Sequence, residues 1–316
     1  MRLLAGVLGG MLAACSPPRE DPSRLSVATM ARLTHAPALT GLDSGRFADA
    51  LAGVHLEPHA FEVGNAVVEA MFAREVDIAY LGPNPAINGF VRSGGNDVVI
   101  LAGAAEGGSA FVVRGIASTE ELRGKRIATP QIASTQDIAL RSYLRAHDLA
   151  KDVTILPLAT PILLTAFSRG EIDGAWVSEP LASQLLALDG ARLLLDEASL
   201  WPEGRYPTTV VAVRRDYLKA APEVVDRFVR AHAHEVRFIE RHRAAGLDAS
   251  VTAMRAIAGR QLDPAIAKAA WARIHFSTEL PPGALPRLAR DARGAGFLPQ
   301  SALGGLVEPG PLERAP

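Results

Sequence analysis

The chain has 316 residues, of which 48% are hydrophobic and 21% charged, and its formal net charge is −1. This composition is sufficient for a sizeable buried core. A near-neutral chain without a basic block argues against a nucleic-acid partner. After the N-terminal run, no segment has the roughly eighteen uncharged apolar residues that a membrane-spanning helix needs.

The N-terminus predicts export. An apolar run from Leu3 to Leu12 follows Arg2 and is too short to cross a bilayer, which is typical of a secretory signal peptide, here residues 1–14. The run ends in Leu12-Ala13-Ala14-Cys15, which resembles the lipobox of bacterial lipoproteins. Cys15 is the only cysteine, so we expect it to carry a lipid anchor; a plain signal peptide with an incidental cysteine is the alternative. Residues 15–24 predict an extended tether.

Apolar runs that alternate with helical segments predict an α/β fold. Strand, helix, strand in this order predicts parallel sheets with right-handed crossovers. The predicted strands are Leu25–Thr29, Val54–Leu56, Ile78–Leu81, Val98–Leu101, Arg126–Thr129, Val153–Leu156, Ala175–Val177 and Arg192–Leu195.

One segment of the sequence occurs twice. Residues 70–81 and 166–177 align without a gap, and each copy combines a helix end, a polar turn with an aspartate, a buried strand and an aromatic residue near the strand end. A proline follows each copy, as at the first turn of a new helix. Two such units predict two similar α/β lobes.

Two further apolar runs are interpreted as crossings between the lobes. Ala110–Val113 and Thr209–Val213 are each followed at once by arginine. The expected division is therefore lobe I over residues 25–113 and 209–298, and lobe II over 114–208. Beyond Asp216 the pattern is helical, so lobe I includes C-terminal helices, whereas the Gly- and Pro-rich residues 299–316 predict a flexible tail.

Several spaced motifs carry a family resemblance. They are Leu33-Thr34-His35-Ala36-Pro37-Ala38-Leu39, Asp77-Ile78-Ala79-Tyr80-Leu81-Gly82-Pro83-Asn84-Pro85-Ala86, Thr129-Pro130 with Ser134-Thr135-Gln136-Asp137, and Trp176-Val177-Ser178-Glu179-Pro180. In this order the motifs resemble the periplasmic solute-binding proteins of nitrate-, sulfonate- and taurine-type ABC importers. The resemblance implies a type II periplasmic-binding-protein fold, with two α/β lobes joined by two crossing strands.

The binding site is expected where strand ends face helix starts across the cleft. Open α/β sheets bind ligands at the carboxyl ends of their strands, and helix N-termini there offer unpaired N–H groups to an oxyanion. The predicted ligand-binding residues are Thr34, His35, Tyr80, Pro83, Asn84, Ser109, Ser134, Thr135, Gln136, Trp176 and Glu179.

Most of these residues have a structural alternative. Helix capping accounts equally well for Asn84, Ser134 and Thr135. Tyr80 and Trp176 stay open between core aromatics and walls of the cleft.

Two of the predicted residues carry specific ambiguities. His35 is either a structural first-turn residue or a ligand contact. The carboxylate of Glu179 would repel an anion unless it faces an amine on a zwitterion such as taurine or pairs with an arginine across the cleft, and the sequence does not choose between the two.

The resemblance implies a binding protein that captures a small anionic or zwitterionic solute by lobe closure. It would deliver the solute to an ABC permease and its ATPase, and we expect a monomer without cofactor or metal. The group His232, His234, Glu235 and His242 lacks the spacing of a helical zinc site. The enzyme alternative is a thiamine-pyrimidine-synthase-like protein on the same fold, which depends on a Cys-rich segment. A ligand-sensing regulator would need a further domain.

Overall fold

The computed structural model describes residues 21–259, 261–299 and 302–315, and the strands in this part of the chain form two sheets. In chain order the strands are β1 (Arg24–Thr29), β2 (His55–Ala60), β3 (Ile78–Leu81), β4 (Val98–Gly107), β5 (Ser109–Arg114), β6 (Arg126–Thr129), β7 (Thr154–Pro157), β8 (Gly174–Ser178), β9 (Ala191–Asp196), β10 (Pro207–Arg214) and β11 (Ile274–His275).

The helices lie between these strands and after β10. They are α1 (Ala36–Asp43), α2 (Arg46–Ala50), α3 (Gly64–Phe72), α4 (Pro83–Arg92), α5 (Thr135–Ala146), α6 (Thr160–Ser168), α7 (Leu181–Leu186), α8 (Arg215–Ala220), α9 (Pro222–Arg241), α10 (Arg243–Ala258), α11 (Pro264–Trp271), α12 (Ala284–Gly294) and α13 (Gly310–Glu313). Short 3-10 turns occur at Leu33–His35, Glu120–Leu122, Glu197–Leu200 and Pro202–Gly204.

The two sheets share one strand order. The sheet of lobe I runs β11-β4-β10-β3-β1-β2, and that of lobe II runs β7-β6-β8-β5-β9. β1, β2 and β3 are parallel, as are β6, β7 and β8. β10 is antiparallel to both its neighbours in lobe I, and β5 to both its neighbours in lobe II. The expectation of parallel sheets therefore holds only in part, because β5 is reversed in lobe II, and β10 and the short β11 are reversed in lobe I.

The chain first crosses between the lobes earlier than expected. Gly107 and Gly108 both have positive φ, 74° and 73°, a conformation that favours glycine and separates β4 from β5. Ala110–Val113 lies within β5 and pairs with lobe II, so the boundary is near Gly108 and not after residue 113. The second crossing is the segment of 3-10 turns before β10.

Each sheet is buried on both faces by helices. All residues of β3 and all of β10 are buried, as expected for central strands covered on two sides. The amphipathic helix α9 packs against lobe I, where the Phe228 ring lies 5.2 Å from that of Phe47 and 6.3 Å from that of Tyr80. The C-terminal helices α9, α10, α11 and α12 occur where the helical period predicts them.

The repeated aspartate makes equivalent hydrogen bonds in both lobes. Asp77 accepts the Ser26 N–H at 2.8 Å and its backbone oxygen accepts the Arg214 N–H at 2.9 Å. Asp173 accepts the Arg126 N–H at 2.8 Å, and its backbone oxygen accepts the Arg114 N–H at 2.9 Å. The aspartates therefore join β1 to β10 in lobe I and β6 to β5 in lobe II, which gives the sequence repeat a physical reason.

The predicted flexible tail is wrong for residues 302–315. The Ile100 N–H donates to the Leu306 oxygen and the Glu308 N–H to the Ile100 oxygen, both at 2.8 Å. Leu306 is buried, and Arg314 donates two hydrogen bonds to the Asp226 carboxylate of α9. The segment covers groups along β4 that would otherwise form an unpaired sheet edge. Cys15 and the predicted signal peptide lie outside the described residues.

The two repeated aspartates are predicted to differ in their contribution to stability. Asp77→Ala would remove one of the two carboxylates that pair with the buried Arg214 guanidinium, while Asp216 still pairs with it, and would remove the acceptor of two buried Ser26 hydrogen bonds; it should lower the free energy of unfolding by about 3 kcal/mol. Asp173→Ala should cost no more than about 1–2 kcal/mol, because its partner Arg126 is 45% exposed. Urea denaturation measures both values; equal losses would contradict this account.

Candidate anion-binding cleft

A small polar cavity lies between the lobes where several helix starts converge. Its volume is about 30 Å³. Five of the predicted ligand-binding residues line it: Thr34, His35, Ser134, Thr135 and Gln136. The remaining lining residues are Met30, Arg32, Gly64, Gly82, Pro85, Ser178 and Thr208.

The start of α5 provides backbone donors to this cavity. The Ser134 hydroxyl caps the helix by accepting the Asp137 N–H at 3.2 Å, so capping and cavity lining hold together for this residue. The N–H groups of Thr135 and Gln136 lie in the first turn, where no intrahelical carbonyl is available. The Asp137 carboxylate accepts the Ala133 N–H and the Arg141 Nε–H, both at 2.9 Å, and so fixes the loop that leads into the helix.

His35 is a neutral hydrogen-bond donor. Its Nδ1 accepts the Met30 N–H at 3.3 Å, which assigns the remaining proton to Nε2. Burial, together with the nearby Arg32 charge, lowers the pKa of His35 to about 3, so the ring is uncharged at physiological pH. His35 therefore fixes the turn after β1 and also lines the cavity, and its contact with a ligand stays a prediction.

Arg32 is the cation of this site, and it was missed from the sequence. Its guanidinium donates from Nη2 to the Glu62 backbone oxygen at 3.0 Å, and burial lowers its pKa from the usual value. Arg32 lines both the small cavity and a larger one beside it. Its position three residues after Thr29, the last residue of β1, is the sequence signal that could have identified it.

The start of α4 shapes the surroundings of the cavity but offers few hydrogen-bond donors to it. Pro83 and Pro85 have no N–H group, and the Asn84 N–H lies 3.4 Å from the Thr135 Oγ1 atom on the opposite lobe. A Cβ atom at Gly82 would lie 2.7 Å from the same Oγ1 atom, so glycine allows the two helix starts to approach. The Asn84 side chain turns to the Leu288 oxygen of α12, at 3.3 Å. Neither Pro83 nor Asn84 lines the small cavity.

Ser109 lies just behind the cavity. Its hydroxyl is 3.4 Å from Gln136 Nε2, and its N–H donates to the Tyr206 hydroxyl oxygen at 2.9 Å. Ser109 therefore positions Gln136 but does not line the cavity. Ser178, which the sequence places at the helix start after Val177, does line it, as does Thr208, which was absent from the predicted set.

Tyr80 and Trp176 are core residues and not walls of the cleft. The Tyr80 hydroxyl is 2.9 Å from His232 Nδ1, within the packing of α9 on lobe I. Trp176 stacks on Phe111 and donates its indole N–H to the buried Glu197 carboxylate at 2.7 Å. The repeat therefore holds its aromatic residues at equivalent places, but on the face of the strand that packs against helices.

Glu179 is already paired in the structure. Its fully buried carboxylate accepts the N–H and the hydroxyl of Ser183, both at 3.0 Å, and lies 3.3 Å from the Arg273 Nε atom. Burial raises the pKa of Glu179, and these partners oppose that rise. Of the two alternatives left open by the sequence, this geometry matches the arginine pair.

Two of the residues considered for a metal site, His232 and Glu235, have structural partners. His232 donates its Nε2 proton to the Gly103 oxygen at 2.8 Å. Glu235 accepts hydrogen bonds from Thr40 and Arg46.

Among residues 21–259, 261–299 and 302–315, no helix combines the length and apolar character needed to span a bilayer.

Hydrogen bonds between the lobes close the cleft over the cavity. The Asn65 amide of α3 donates to the Ile132 oxygen at 3.2 Å, and the Ser142 hydroxyl of α5 donates to Asp291 of α12 at 3.0 Å. A larger cavity of about 330 Å³ adjoins the small one and shares Met30, Arg32 and Ser178 with it. The site therefore has a polar end and a roomier end.

Comparison with known proteins identifies the family. Residues 19–253 match the NMT1-like family. The chain belongs to this family. It is similar to the taurine-binding periplasmic protein of Escherichia coli (strain K12), with 32% identity over 181 residues, which cover 57% of this chain and 56% of that protein.

Two further similarities concern sequence and fold. The putative aliphatic sulfonates-binding protein of Bacillus subtilis (strain 168) is 26% identical over 213 residues, 65% of this chain and 63% of that protein. The chain thus spans little more than half the length of these relatives. The alkanesulfonate-binding protein of Xanthomonas axonopodis pv. citri bound to MOPS superimposes with a TM-score of 0.76 at 21% identity, covering 92% of this chain and 99% of that one. This likeness confirms the expected two-lobe fold.

The buried Glu197 beside the second crossing predicts a pH-dependent stability. Burial raises its pKa to about 7 in the folded protein, against a usual value of 4.5. As the pH rises between these values, the unfolded state loses the proton first, so stability present below about pH 4.5 falls until about pH 7. Glu197→Gln keeps an acceptor for the Trp176 indole but cannot ionise, and should flatten this fall.

Urea denaturation of wild type and Glu197→Gln at pH 5 and pH 8 measures the effect. The exposed Glu171 provides a matched control, and Glu171→Gln should follow the wild type. If Glu197→Gln lost as much stability between the two pH values as the wild type, the buried carboxyl would not be the cause.

Proposed function

We propose that this protein is the extracytoplasmic solute-binding component of an ABC importer for a small oxyanion of the sulfonate, taurine or nitrate type. The observation that carries the proposal is the polar cavity between the lobes, where Arg32 and the start of α5 meet. Similarity to a taurine-binding and a putative sulfonates-binding protein supports the same class of solute. The protein works as a monomer that closes on its solute and presents it to a permease and its ATPase.

The arrangement of donors suits a weakly hydrated oxyanion. N–H groups at a helix start, a neutral imidazole and hydroxyl groups each donate one hydrogen bond, and Arg32 supplies the charge. Glu179, whose carboxylate lies at the adjoining larger cavity, is held by Ser183 and Arg273. An anion in the small cavity therefore meets donors and a cation, and its repulsion by Glu179 is compensated.

The enzyme alternative has less support. His35, with a pKa of about 3, is a poor base at neutral pH, and the sequence has one cysteine, Cys15, where the pyrimidine-synthase class depends on several. No cofactor or metal is part of the proposal. Turnover of a substrate by the purified mature protein, without any binding of small anions, would favour the enzyme instead.

A thermal-shift screen tests the class of solute. Ethanesulfonate, taurine, nitrate and a phosphonate are compared with neutral sugars and cations. A solute at a hundred times its dissociation constant stabilises the folded state by about 2.7 kcal/mol, which is readily detected. Stabilisation by sugars or cations alone would overturn the anion assignment.

Arg32 is predicted to carry much of the affinity for the anion. Arg32→Gln should weaken ethanesulfonate binding about 10- to 100-fold in isothermal titration calorimetry, because a charge-assisted hydrogen bond contributes about 1.5–3 kcal/mol. Arg24→Gln is the control, since Arg24 forms an exposed pair with Glu57 away from the cavity. An unchanged affinity in a folded Arg32→Gln protein would remove Arg32 from the site.

Cys15 is predicted to anchor the protein to a bacterial membrane through a lipid. Cys15→Ala should move the protein from the membrane to the soluble fraction or block removal of residues 1–14, because acylation needs the thiol. Detergent partitioning after expression in a bacterial host measures this. Ser16→Ala serves as the control, and equal membrane association of wild type and Cys15→Ala would contradict lipidation.

A further inference from the structure

The two adjoining cavities differ in size and in chemistry. The small polar cavity has about 30 Å³ and the larger one about 330 Å³. About 10–15 Å³ is the least that holds one water molecule, so the small cavity has room for a head group and no more. Any organic part of a solute bound there must extend past Met30 and Arg32 into the larger cavity, which has the size of a small-molecule site.

The larger cavity has mainly apolar walls from three parts of the fold. Met30 and Phe61 belong to lobe I, Leu164 and Leu181 belong to α6 and α7 of lobe II, and α10 adds Met254 and Ile257. Apolar side chains on opposite sides of one space gain free energy when an apolar group fills it. A charged group would lose part of its hydration there, and the uncharged polar side chains of the lining, such as Thr160, Gln184 and Gln261, would compensate for only part of that loss.

The carboxylates at this cavity do not offer a desolvated partner for an ammonium group. Glu179 also lines the larger cavity, but Ser183 and Arg273 already engage its carboxylate. Glu62 lines it too, and this residue is exposed to solvent. An ammonium group on a two-carbon tail, next to the Arg32 guanidinium, would therefore be desolvated without a buried counter-charge.

We propose that the preferred solute is a sulfonate with an uncharged apolar tail, alkyl or aryl, that is longer than two carbons, and that taurine is a poor solute. This inference rests on the proposed function and specifies the organic part of the solute. The head group binds at Arg32 and the start of α5, and the tail packs between α6, α7 and α10.

Calorimetry with a graded series of sulfonates tests the tail. Ethanesulfonate, butanesulfonate and hexanesulfonate should bind with an affinity that rises about threefold or more per methylene, as buried apolar surface increases. Taurine should bind about tenfold or more weakly than ethanesulfonate, which has the same sulfonate and carbon chain but no ammonium group. Taurine binding more tightly than hexanesulfonate, or no gain with length, would overturn the inference and leave the proposed function intact. If no sulfonate or other anion binds, the proposed function itself fails.

Two variants on the same helix locate the tail. Ile257 is 42% exposed, so Ile257→Glu places a carboxylate at the edge of the larger cavity without burying it fully. The ratio of hexanesulfonate to ethanesulfonate affinity should fall about tenfold, and the discrimination against taurine should shrink. Thr252→Glu adds the same charge to an exposed position of α10 outside the cavity and should leave both ratios unchanged.

The ratios separate a local effect from general repulsion of anions. A new negative charge weakens both sulfonates, but only contact with the tail changes their ratio. Identical ratios for Ile257→Glu, Thr252→Glu and wild type would show that the tail does not reach α10, which would overturn the assignment of the larger cavity to the tail.

Discussion

Each sheet has a reversed strand in its interior, β10 in lobe I and β5 in lobe II, and the chain reaches that strand from the other lobe. β5 follows β4 through Gly107 and Gly108, and β10 follows β9 through the 3-10 turns at residues 197–204. β10 is hydrogen-bonded to a strand on each side, and so is β5. Without these two strands each sheet would be divided into two parts. Two connections between otherwise separate sheets leave hinge rotation as the natural relative motion of the lobes.

The same arrangement determines where a solute can bind. The parallel strands of both sheets end toward the cleft, so the helix starts that follow them face each other there. The starts of α4 and α5 meet there, because Thr135 Oγ1 faces the Asn84 N–H and Gly82 has no side chain to intervene. Pro83 and Pro85 at the start of α4 have no N–H group. The hydrogen-bond donors of the cleft therefore come mainly from α5 and from the turn after β1.

The fold was predictable from the sequence to the extent that it depends on local patterns. The duplicated segment, the alternating strands and the C-terminal helices all have short-range signals, and ten of the observed strands overlap runs identified from the sequence. The reversed direction of β5 and β10 has no such signal, because it follows from which strands they pair with. The tail after Pro299 was misjudged for the same reason: its partner is Ile100, far away in sequence.

The predicted site residues show the same difference between local and long-range sequence signals. Thr34, His35, Ser134, Thr135 and Gln136 follow strand ends, and this position alone predicted that they would line the cleft. Tyr80 and Trp176 also stand at strand ends, but side chains alternate between the faces of a strand, and theirs point to His232 and Glu197. Arg32 and Thr208 do not belong to any of the motifs recognised in the sequence. The arginine that pairs with Glu179 is Arg273, nearly a hundred residues further along the chain.

The division into a polar and an apolar cavity also limits what similarity can say about the solute. The head-group residues lie within residues 19–253, the part of the chain that matches the family. Met254, Ile257 and Leu262, which line the larger cavity, lie just beyond it. Relatives can therefore share the donors for an oxyanion and differ in the tail they accept, since α10 can change its cavity-facing side chains without disturbing α5 or the turn after β1. In this chain those side chains are apolar, and the proposed apolar tail rests in part on them.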